Sequence, residues 1–445
     1  MDAIEGHFQQ KSHEKTFFPR HFSKYIFMKI FLLQINIFLL LFLRVYAQDP
    51  LPMKIDLQRS IGRYGKMTLS QLGNDIQYIP LKGSKEGFFL EKIVNISFSA
   101  KQIIASDFQR CILFDRNGIY LRKIGNQGKG PGEYTFITQV DFSNTEEFIY
   151  ISFDFNILKF SLQGDLVKSI SMQKGKAAHG FEEPICSWVP FLDNLFLVDI
   201  PNYSGKEKSM FVILNEGGQV TKKYDNYQIC NKKYNVVNTW DSNTSIYKFK
   251  DFYTLKKVTN DTLFRLTKNF HIFPRYVFYL GKYRFPFEEY DGSFVNFMKE
   301  ITNYITIIST IETTDYFFLL CDFGNHTDGI KLARVALGGQ TSTYRSSIVK
   351  AVYQKSLDRL ILLTPSINDG FINDIDGGMN FFPQKVINDS ILVSWVDAYQ
   401  LKAHVASSTF KNSTPKYPEK KKALEKLANS LNENDNPVLM LVKLK

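Results

Sequence analysis

Residues 92–125 read KIVNISFSAKQIIASDFQRCILFDRNGIYLRKIG, and this stretch contains four short runs rich in apolar residues. Runs of this length, separated by turn residues, are typical of β-strands. The pair Asn117-Gly118 between the third and fourth runs is a strong signal for a tight hairpin. The stretch therefore predicts four consecutive antiparallel strands.

The same pattern recurs at a spacing of about 45 residues, in residues 136–170 and again in residues 184–224. An aspartate follows the second run of each of the three copies: Asp107, Asp154 and Asp199. A glycine separates the third and fourth runs of each copy: Gly118, Gly164 and Gly217. A repeated four-stranded unit of this size is typical of a β-propeller blade.

Three further units follow with more drift, in residues 253–281, 305–337 and 381–397. The last two restore the aspartate after the second run, as Asp322 and Asp397. The sequence therefore predicts an all-β protein, a six-bladed β-propeller with four-stranded antiparallel blades.

Strand-like runs near both ends of the repeat region, residues 76–81 and 438–444, belong to no unit of their own. We expect them to share one blade, because pairing them removes an exposed sheet edge. A few short helices are also predicted, over residues 291–302 and 397–407 and in a segment that begins at Pro418.

The N-terminal region resembles a secretory signal. Lys29 precedes an apolar stretch over residues 30–43, and Val45 and Ala47 provide a cleavage site that leaves Gln48 as the new N-terminus. A membrane anchor is the alternative, but the apolar run is shorter than the roughly 20 residues that a spanning helix needs. We predict export to the periplasm or the cell exterior, without a stable transmembrane anchor after cleavage.

These patterns divide the chain into three parts. Residues 1–47 form an N-terminal extension plus the signal peptide, with Met28 as the expected true start. Residues 48–68 form a short lead, and residues 69–445 form a single propeller domain that the C-terminal strand closes.

Composition excludes several classes of protein. With 44% hydrophobic and 22% charged residues, the chain is too apolar to be disordered. The net charge of +11 is not concentrated beside a recognition motif, so nucleic acid is not expected as a partner. The four cysteines, Cys111, Cys186, Cys230 and Cys321, form no CxxC pair, so a zinc site is not predicted. An oxidising compartment permits disulfides, but Cys111 and Cys321 lie in apolar runs that favour buried free thiols.

Four segments in combination resemble a known family. They are LSQLGNDIQYIPL (residues 69–81), ILFDRNGIYLRKIGNQGKGPGEY (112–134), NDIDGGMNFFP (373–383) and KYPEKKKALEKLANSLNENDNPVLMLVKLK (416–445). The sequence resembles secreted six-bladed β-propeller proteins of the Bacteroides group, relatives of NHL-repeat propellers, over about residues 69–445. The resemblance implies the fold and an envelope or extracellular location, and it implies no common activity or catalytic residue.

Because strands alternate in direction, the loops after the second and fourth strands of every blade open on one face. That face receives the aspartate series, the glycine-rich loop of residues 125–134 and the segment of residues 368–379. The aspartates are interpreted as turn residues that accept backbone hydrogen bonds, since they recur from blade to blade: Asp107, Asp154, Asp199, Asp322 and Asp397. A ring of carboxylates that binds a cation is the alternative.

The glycine-rich loop GNQGKGPGEY lacks the GK[ST] signature of a phosphate-binding loop. It is interpreted as a connector between blades, with Glu133 and Tyr134 packed behind it, and both residues remain possible ligand contacts. The segment around Asn373, Asp374 and Asp376 is the strongest candidate for a ligand site. Together with Asp369, these two aspartates could offer oxygens to Ca²⁺, although a hydrogen-bonded turn is favoured and no cofactor is predicted.

Two functions remain open from the sequence. One is an envelope binding or interaction module for an unidentified glycan, peptide or protein. The other is a calcium-dependent propeller hydrolase or lyase with its site at the mouth of the channel. The sequence contains no GxSxG motif or other signature of a nucleophile.

Overall fold

The computed structural model describes residues 28–29, 31–35, 51–83, 87, 89–154, 156–171, 187–192, 194–202, 206–229, 244–327, 331–337, 340–365 and 370–445. The chain forms two units, Met1–Leu51 and Pro52–Lys445. In the first unit, residues 28–29 and 31–35 are helical. The predicted cleavage site, Cys186, Cys230 and Asp369 lie outside the described residues.

The second unit is a six-bladed β-propeller, as predicted. Each blade is an antiparallel sheet, and the first strand lies innermost. The strands of blade 1 are Asn95–Phe98, Gln102–Ser106, Cys111–Asp115 and Tyr120–Lys123. The strands of blade 2 are Gln139–Phe142, Phe148–Phe153, Asn156–Ser161 and Leu166–Ser171. The strands of blade 3 are Trp188–Pro190, Leu195–Asp199, Ser209–Asn215 and Val220–Asp225.

The other three blades follow the same radial order with additions. The strands of blade 4 are Ser245–Phe249, Phe252–Lys256, Thr262–Thr267 and Ile272–Tyr279. The strands of blade 5 are Thr306–Glu312, Tyr316–Asp322, Ile348–Gln354 and Arg359–Leu363. The strands of blade 6 are Lys385–Ile387, Ile391–Val396, Val438–Leu444 and Gly73–Pro80. A short pair, Asn126–Gln127 with Glu133–Tyr134, lies between blades 1 and 2.

Blade 6 joins the two ends of the propeller. Its third strand, Val438–Leu444, pairs with Ile391–Val396 on one side and with Gly73–Pro80 on the other. The residues Val438, Leu439 and Val442 of this strand are fully buried. The strand-like runs near the two ends therefore occupy one sheet, and the ring is closed through backbone hydrogen bonds between them.

The residues that precede Gly73–Pro80 in the sequence also pair with blades. Met53–Asp56 runs parallel to Ile272–Tyr279, the outermost antiparallel strand of blade 4. Tyr64–Gly65 runs parallel to Arg359–Leu363 at the outer edge of blade 5. The chain from residue 53 to residue 80 thus adds strands to the outer edges of three consecutive blades. These first two strands have only four and two residues, too short for a periodicity signal in the sequence.

Two strands differ from the sequence prediction. Ser245–Phe249 is the first strand of blade 4, a position for which the sequence pattern offered no run. Residues 331–337 were predicted as the third strand of blade 5, and this is wrong: Lys331–Leu337 pairs with Gln340–Ser346 as a hairpin inserted before the third strand, Ile348–Gln354. Residues 331–337 and residues 348–354 both have the alternating pattern of a strand, and this pattern alone does not show which of the two joins the blade.

The described residues of the second unit include four α-helices. Helix α1 (Phe294–Glu300) lies between blades 4 and 5 in the sequence. Helices α2 (Ala398–Ala406), α3 (Ser408–Lys411) and α4 (Pro418–Ser430) all lie between the second and third strands of blade 6. Short 3₁₀ turns occur at Gln58–Ser60, Leu69–Gln71, Gly281–Tyr283, Ile301–Asn303 and Lys355–Leu357. Pro418 begins helix α4, as predicted, and Leu424 and Ala428 on its inner side join the core of blade 6.

The apolar core lies between neighbouring blades. Ile104, Cys111 and Leu113 of blade 1, for example, pack with Val140 and Ile149 of blade 2. Cys111 and Cys321 are free and fully buried, and burial raises the pKa of both thiols, that of Cys321 to about 12. Neither thiol is therefore ionised at neutral pH. Within the described part of the chain, no helix has both the length and the apolar character required to cross a bilayer.

Candidate functional site

A central channel runs along the first strands of the six blades. Residues of every first strand line it, and the cavity has a volume of about 690 Å³. Each first strand is the inner edge of its sheet, so part of its backbone N–H and C=O groups faces the channel without a strand partner. The channel therefore offers hydrogen-bonding groups from six directions.

Four charged side chains line the described part of the channel, namely those of Asp141, Glu146, Lys248 and Lys385. Asp141 of blade 2 accepts a hydrogen bond of 2.5 Å from the Ser97 hydroxyl of blade 1. Burial raises the pKa of Asp141 above its ordinary value, while the Ser97 hydroxyl and the ammonium of Lys385 in blade 6 partly offset this effect. Asp141 and Lys385 thus come from the blades on either side of blade 1, and the ammonium of Lys385 favours the ionised form of Asp141.

Polar bonds between blades hold parts of the wall in place. The side-chain amide of Gln139 in blade 2 donates to the backbone carbonyl of Trp188 in blade 3, and Gln139 Oε1 accepts from the Trp188 N–H at 3.3 Å. The Ser245 hydroxyl of blade 4 accepts from the Thr310 N–H of blade 5 at 3.0 Å. The channel is consequently formed before any ligand arrives, which reduces the entropic cost of binding.

Sequence reasoning missed these channel residues. The repeat pattern directed attention to the loops, whereas Asp141 and Lys385 lie within strands. The sequence offered one signal for Asp141. It is the third residue of the first strand of blade 2, and the same position holds the uncharged residues Ser97 in blade 1 and Pro190 in blade 3. Departure from the repeat also selects Asp141 when it is applied to the strands and not only to the loops.

The turn at residues 373–378 lies against both ends of the propeller instead of the channel. Asp374 Oδ1 accepts from the Ser70 N–H at 2.9 Å, and Oδ2 accepts from the Ser70 hydroxyl at 2.6 Å. The Lys416 ammonium lies 3.1 Å from the same carboxylate. Asp374 therefore links the start of the propeller to the segment before helix α4.

Asp376 has different surroundings. It is almost fully buried, and its Oδ1 accepts from the Gly378 N–H at 2.9 Å and from the Tyr78 hydroxyl at 3.3 Å. Asn373 Oδ1 accepts from the Ile375 N–H at 3.2 Å, and its amide donates to the Tyr78 hydroxyl at 3.3 Å. The side chains of this turn bond to the turn itself and to the outer strand of blade 6.

The two aspartates have pKa values shifted in opposite directions. Partial burial alone would raise the pKa of Asp374, but the bonds from Ser70 and the charge of Lys416 outweigh burial and lower it. Burial dominates at Asp376 and raises its pKa above 3.8. The ionised form of Asp374 is thus favoured by folding, and the ionised form of Asp376 is disfavoured.

We predict that Asp374→Asn lowers the free energy of unfolding by about 1 kcal/mol at pH 7, because bonds to a charged group are replaced by weaker neutral ones. A carboxyl whose pKa is lowered by folding stabilises fully above its unfolded pKa, so this difference should persist down to about pH 4 and shrink as the pH falls below that value. Asp376→Asn is the matched control and should cause no loss at pH 7, because an amide oxygen still accepts both bonds. Urea denaturation with and without Ca²⁺ checks this, and equal losses or a calcium-dependent loss would contradict it.

The glycine-rich loop is bonded mainly to itself. Glu133 Oε2 accepts from the Gly130 N–H at 2.8 Å, and residues 126–127 pair with residues 133–134. Tyr134 is fully buried, and its hydroxyl donates to the Ile124 carbonyl at 3.1 Å. Neither Glu133 nor Tyr134 is among the residues that line the channel.

The five repeated aspartates have several different partners. Asp107 Oδ1 accepts from the N–H groups of Gln109 and Arg110, and Asp322 Oδ1 accepts from those of Gly324 and Ser347. These bonds are of the kind expected for turn aspartates.

The other three occupy distinct settings. Asp154 is exposed with a left-handed backbone (φ 46°), and its Oδ2 accepts from the Thr135 hydroxyl. Asp199 is fully buried and accepts a 2.7 Å bond from the Lys257 ammonium of blade 4. Asp397 is the N-cap of helix α2 and forms a capping box with Gln400. The five aspartates therefore share a position after the second strand of a blade, but they do not share one set of contacts.

No group of three or more His, Cys, Asp or Glu side chains is arranged to hold a metal ion among the residues that the structure describes. Asp374 and Asp376 contact separate partners, and Asp369 is not among those residues. The channel is therefore the candidate site to which the described geometry points.

Comparison with known proteins identifies the family. Residues 52–443 match the DUF4934 family, a domain of unknown function. The chain belongs to the DUF4934 family. This DUF4934 protein matches none of the curated proteins with which its sequence was compared.

One solved structure in the comparison supports the fold, and two others are less similar. The DUF4934 protein is similar to a protein from Bacteroides fragilis NCTC 9343 that is described as exported, with a TM-score of 0.62 at 16% identity over 88% of this chain and 100% of the other. It is also similar to a DUF4221 family member from Bacteroides vulgatus, with a TM-score of 0.48 at 12% identity over 84% and 97% of the two chains. A virginiamycin B lyase from Staphylococcus aureus gives a TM-score of 0.35 at 9% identity over 66% and 89% of the two chains. At these identities, the likeness to the Bacteroides fragilis protein shows the fold alone.

Proposed function

We propose that this DUF4934 protein is an exported binding module that holds its ligand in the central channel. The observation that carries the proposal is a pre-formed cavity of about 690 Å³ with Asp141 and Lys385 on one wall. Ligand sites typically have volumes of about 300–1,000 Å³ and contain a few oriented polar groups. The signal-like residues 28–47 and the likeness to an exported Bacteroides fragilis protein support export.

The character of the channel wall favours binding through hydrogen bonds. Serine, threonine, asparagine and glutamine residues line the channel beside the backbone edges of the first strands. The large ring of Trp188 is packed between blades 2 and 3. Such a wall recognises a polar ligand by matching donors and acceptors, and it holds the two charges at fixed positions. The calcium-dependent hydrolase or lyase remains the alternative, and it predicts that a bound compound is converted to products.

The test is a titration of the purified chain with short peptides and with soluble oligosaccharides, followed by calorimetry and product analysis. We predict that the double variant Asp141→Asn, Lys385→Ala binds the parent's ligand at least about tenfold more weakly, since each bond to a charged group contributes roughly 1.5–3 kcal/mol. Asn at position 141 can still accept from Ser97, so the wall should keep its shape.

The matched control is Asp56→Asn, Lys54→Ala. This pair has the same change of charge, and its ammonium and carboxylate lie 3.9 Å apart at the outer edge of blade 4. The control should bind like the parent. A parent that binds no member of the panel, or a channel variant that binds as tightly as the control, contradicts the proposal. Conversion of a bound compound to products favours the enzyme.

A further inference from the structure

A recess opens from the channel between blades 5 and 6. It has a volume of about 490 Å³, and Ser309 and Trp395 line both the recess and the channel. Its remaining wall is mainly apolar and includes Phe318, Met379, Phe382 and Met440. Polar side chains line the recess as well, among them Lys350 and Gln384, but large apolar side chains form a greater share of its wall than of the channel wall.

The backbone is irregular where the two cavities meet. The register between the first and second strands of blade 5 shifts between Ile307 and Ser309, which leaves Ile308 as a bulge. In the other five blades, the pairing of these two strands has no such shift. A bulge bends a strand and redirects its side chains, and bulges are common beside binding sites. Ile308 and Ser309 both line the channel, so the irregularity is located at the entrance to the recess.

We infer that the ligand is a short peptide segment whose backbone lies in the channel and whose apolar side chain enters the recess. This inference rests on the proposed function. An extended peptide has the alternating N–H and C=O groups that an unpaired strand edge can bond. The carboxylate of Asp141 or the ammonium of Lys385 can pair with one charged terminus of a free peptide. The recess between Met379, Phe382 and Met440 complements a side chain such as that of phenylalanine.

An oligosaccharide matches this cavity less well. Sugars are usually bound on exposed aromatic faces, whereas Phe318 and Phe382 are buried in the recess wall and contact each other edge to face. A sugar ring carries hydroxyl groups around its edge and has no apolar side chain to bury against Met379, Phe382 and Met440. The two parts of the cavity, taken together, favour a peptide.

The probes are two pentapeptides, Gly-Ser-Phe-Ser-Gly and Gly-Ser-Ser-Ser-Gly, and a set of cello- and malto-oligosaccharides. By calorimetry we expect the phenylalanine peptide to bind at least about tenfold more tightly than the serine peptide, because only its side chain buries apolar surface in the recess. Met379→Trp narrows the recess and should reduce that ratio below about threefold. Met379→Ala widens it and should retain the preference for an apolar side chain.

The matched control is Met53→Trp, the same substitution at a half-exposed methionine in the outer strand of blade 4. It should keep the parent's ratio. If both peptides bind equally, or if only oligosaccharides bind and they require Asp141 and Lys385, the inference is overturned while the channel proposal survives. If no probe depends on Asp141 and Lys385, both fail.

Discussion

A chain that ends at Asn436 is expected to lose cooperative folding altogether. The deleted strand, Val438–Leu444, is hydrogen-bonded to a neighbouring strand on each side. It contributes the fully buried side chains of Val438, Leu439 and Val442. Burial of each such side chain is worth roughly 1.5–3 kcal/mol. Deletion would also leave Ile391–Val396 and Gly73–Pro80 without their shared partner. Together with the lost burial of Met440 and Leu441, these losses are comparable with the roughly 5–15 kcal/mol by which a domain is usually stable.

Thermal and urea unfolding followed by circular dichroism would check this result. The matched control removes only Lys445, an exposed residue beyond the last strand. That control should melt close to the parent. A chain ending at Asn436 that unfolds in one transition near the parent's Tm would show that the ring does not depend on this strand.

The second large effect is expected at Glu312, at the junction of blades 4 and 5. Its carboxylate is fully buried and lies 2.6 Å from the guanidinium of Arg275 in blade 4 and 2.5 Å from the ammonium of Lys355 in blade 5. Glu312→Ala would leave two largely buried cations without their partner. The free energy of unfolding should fall by about 3–5 kcal/mol.

The pH dependence of this loss can also be derived. Burial lowers the pKa of Lys355 even with Glu312 present, and removal of the carboxylate should lower it further. A lysine whose folded pKa is lowered destabilises below that pKa, and the penalty fades as rising pH deprotonates it. The difference between Glu312→Ala and the parent should therefore be smaller near pH 10 than at pH 7.

Glu146→Ala provides the comparison. Glu146 also joins two blades, since its Oε2 accepts from the Ala100 N–H at 2.8 Å, but its side chain is exposed. Its loss should cost less than about 1 kcal/mol because water replaces the missing bond. Similar destabilisation by both substitutions in urea titrations would contradict the role of burial.

The repeat made the fold predictable from the sequence. Each blade is a local meander, so the signals for its strands and its turn lie close together, as at Asn117-Gly118. The closing strands were recognisable because residues 76–81 and 438–444 were left over after six units had been assigned. The inserted hairpin of residues 331–346 was not predictable, because its alternation is the same as that of the blade strand that follows it.

The candidate site was much less predictable. Asp374 and Asp376 depart from the repeat, but their departure reflects contacts with Ser70 and Tyr78 from the other end of the propeller. In the sequence these partners are about 300 residues away, so no local pattern reveals them. Asp141 and Lys385 come together for the same reason, because closure of the ring places blades 1, 2 and 6 side by side.

The added strands at the outer edges of blades 4 and 5 constrain the order in which the protein can be completed. A chain emerges from the ribosome, or from a secretion channel, with its N-terminal part first. Met53–Asp56 pairs with Ile272–Tyr279, Tyr64–Gly65 pairs with Arg359–Leu363, and Gly73–Pro80 pairs with the last strand of the chain. Met53–Asp56 must therefore wait, unpaired, until residue 279 has emerged, and Gly73–Pro80 must wait until nearly all of the chain has emerged. Such non-local pairing is slow to form, so assembly should finish after chain emergence and not during it.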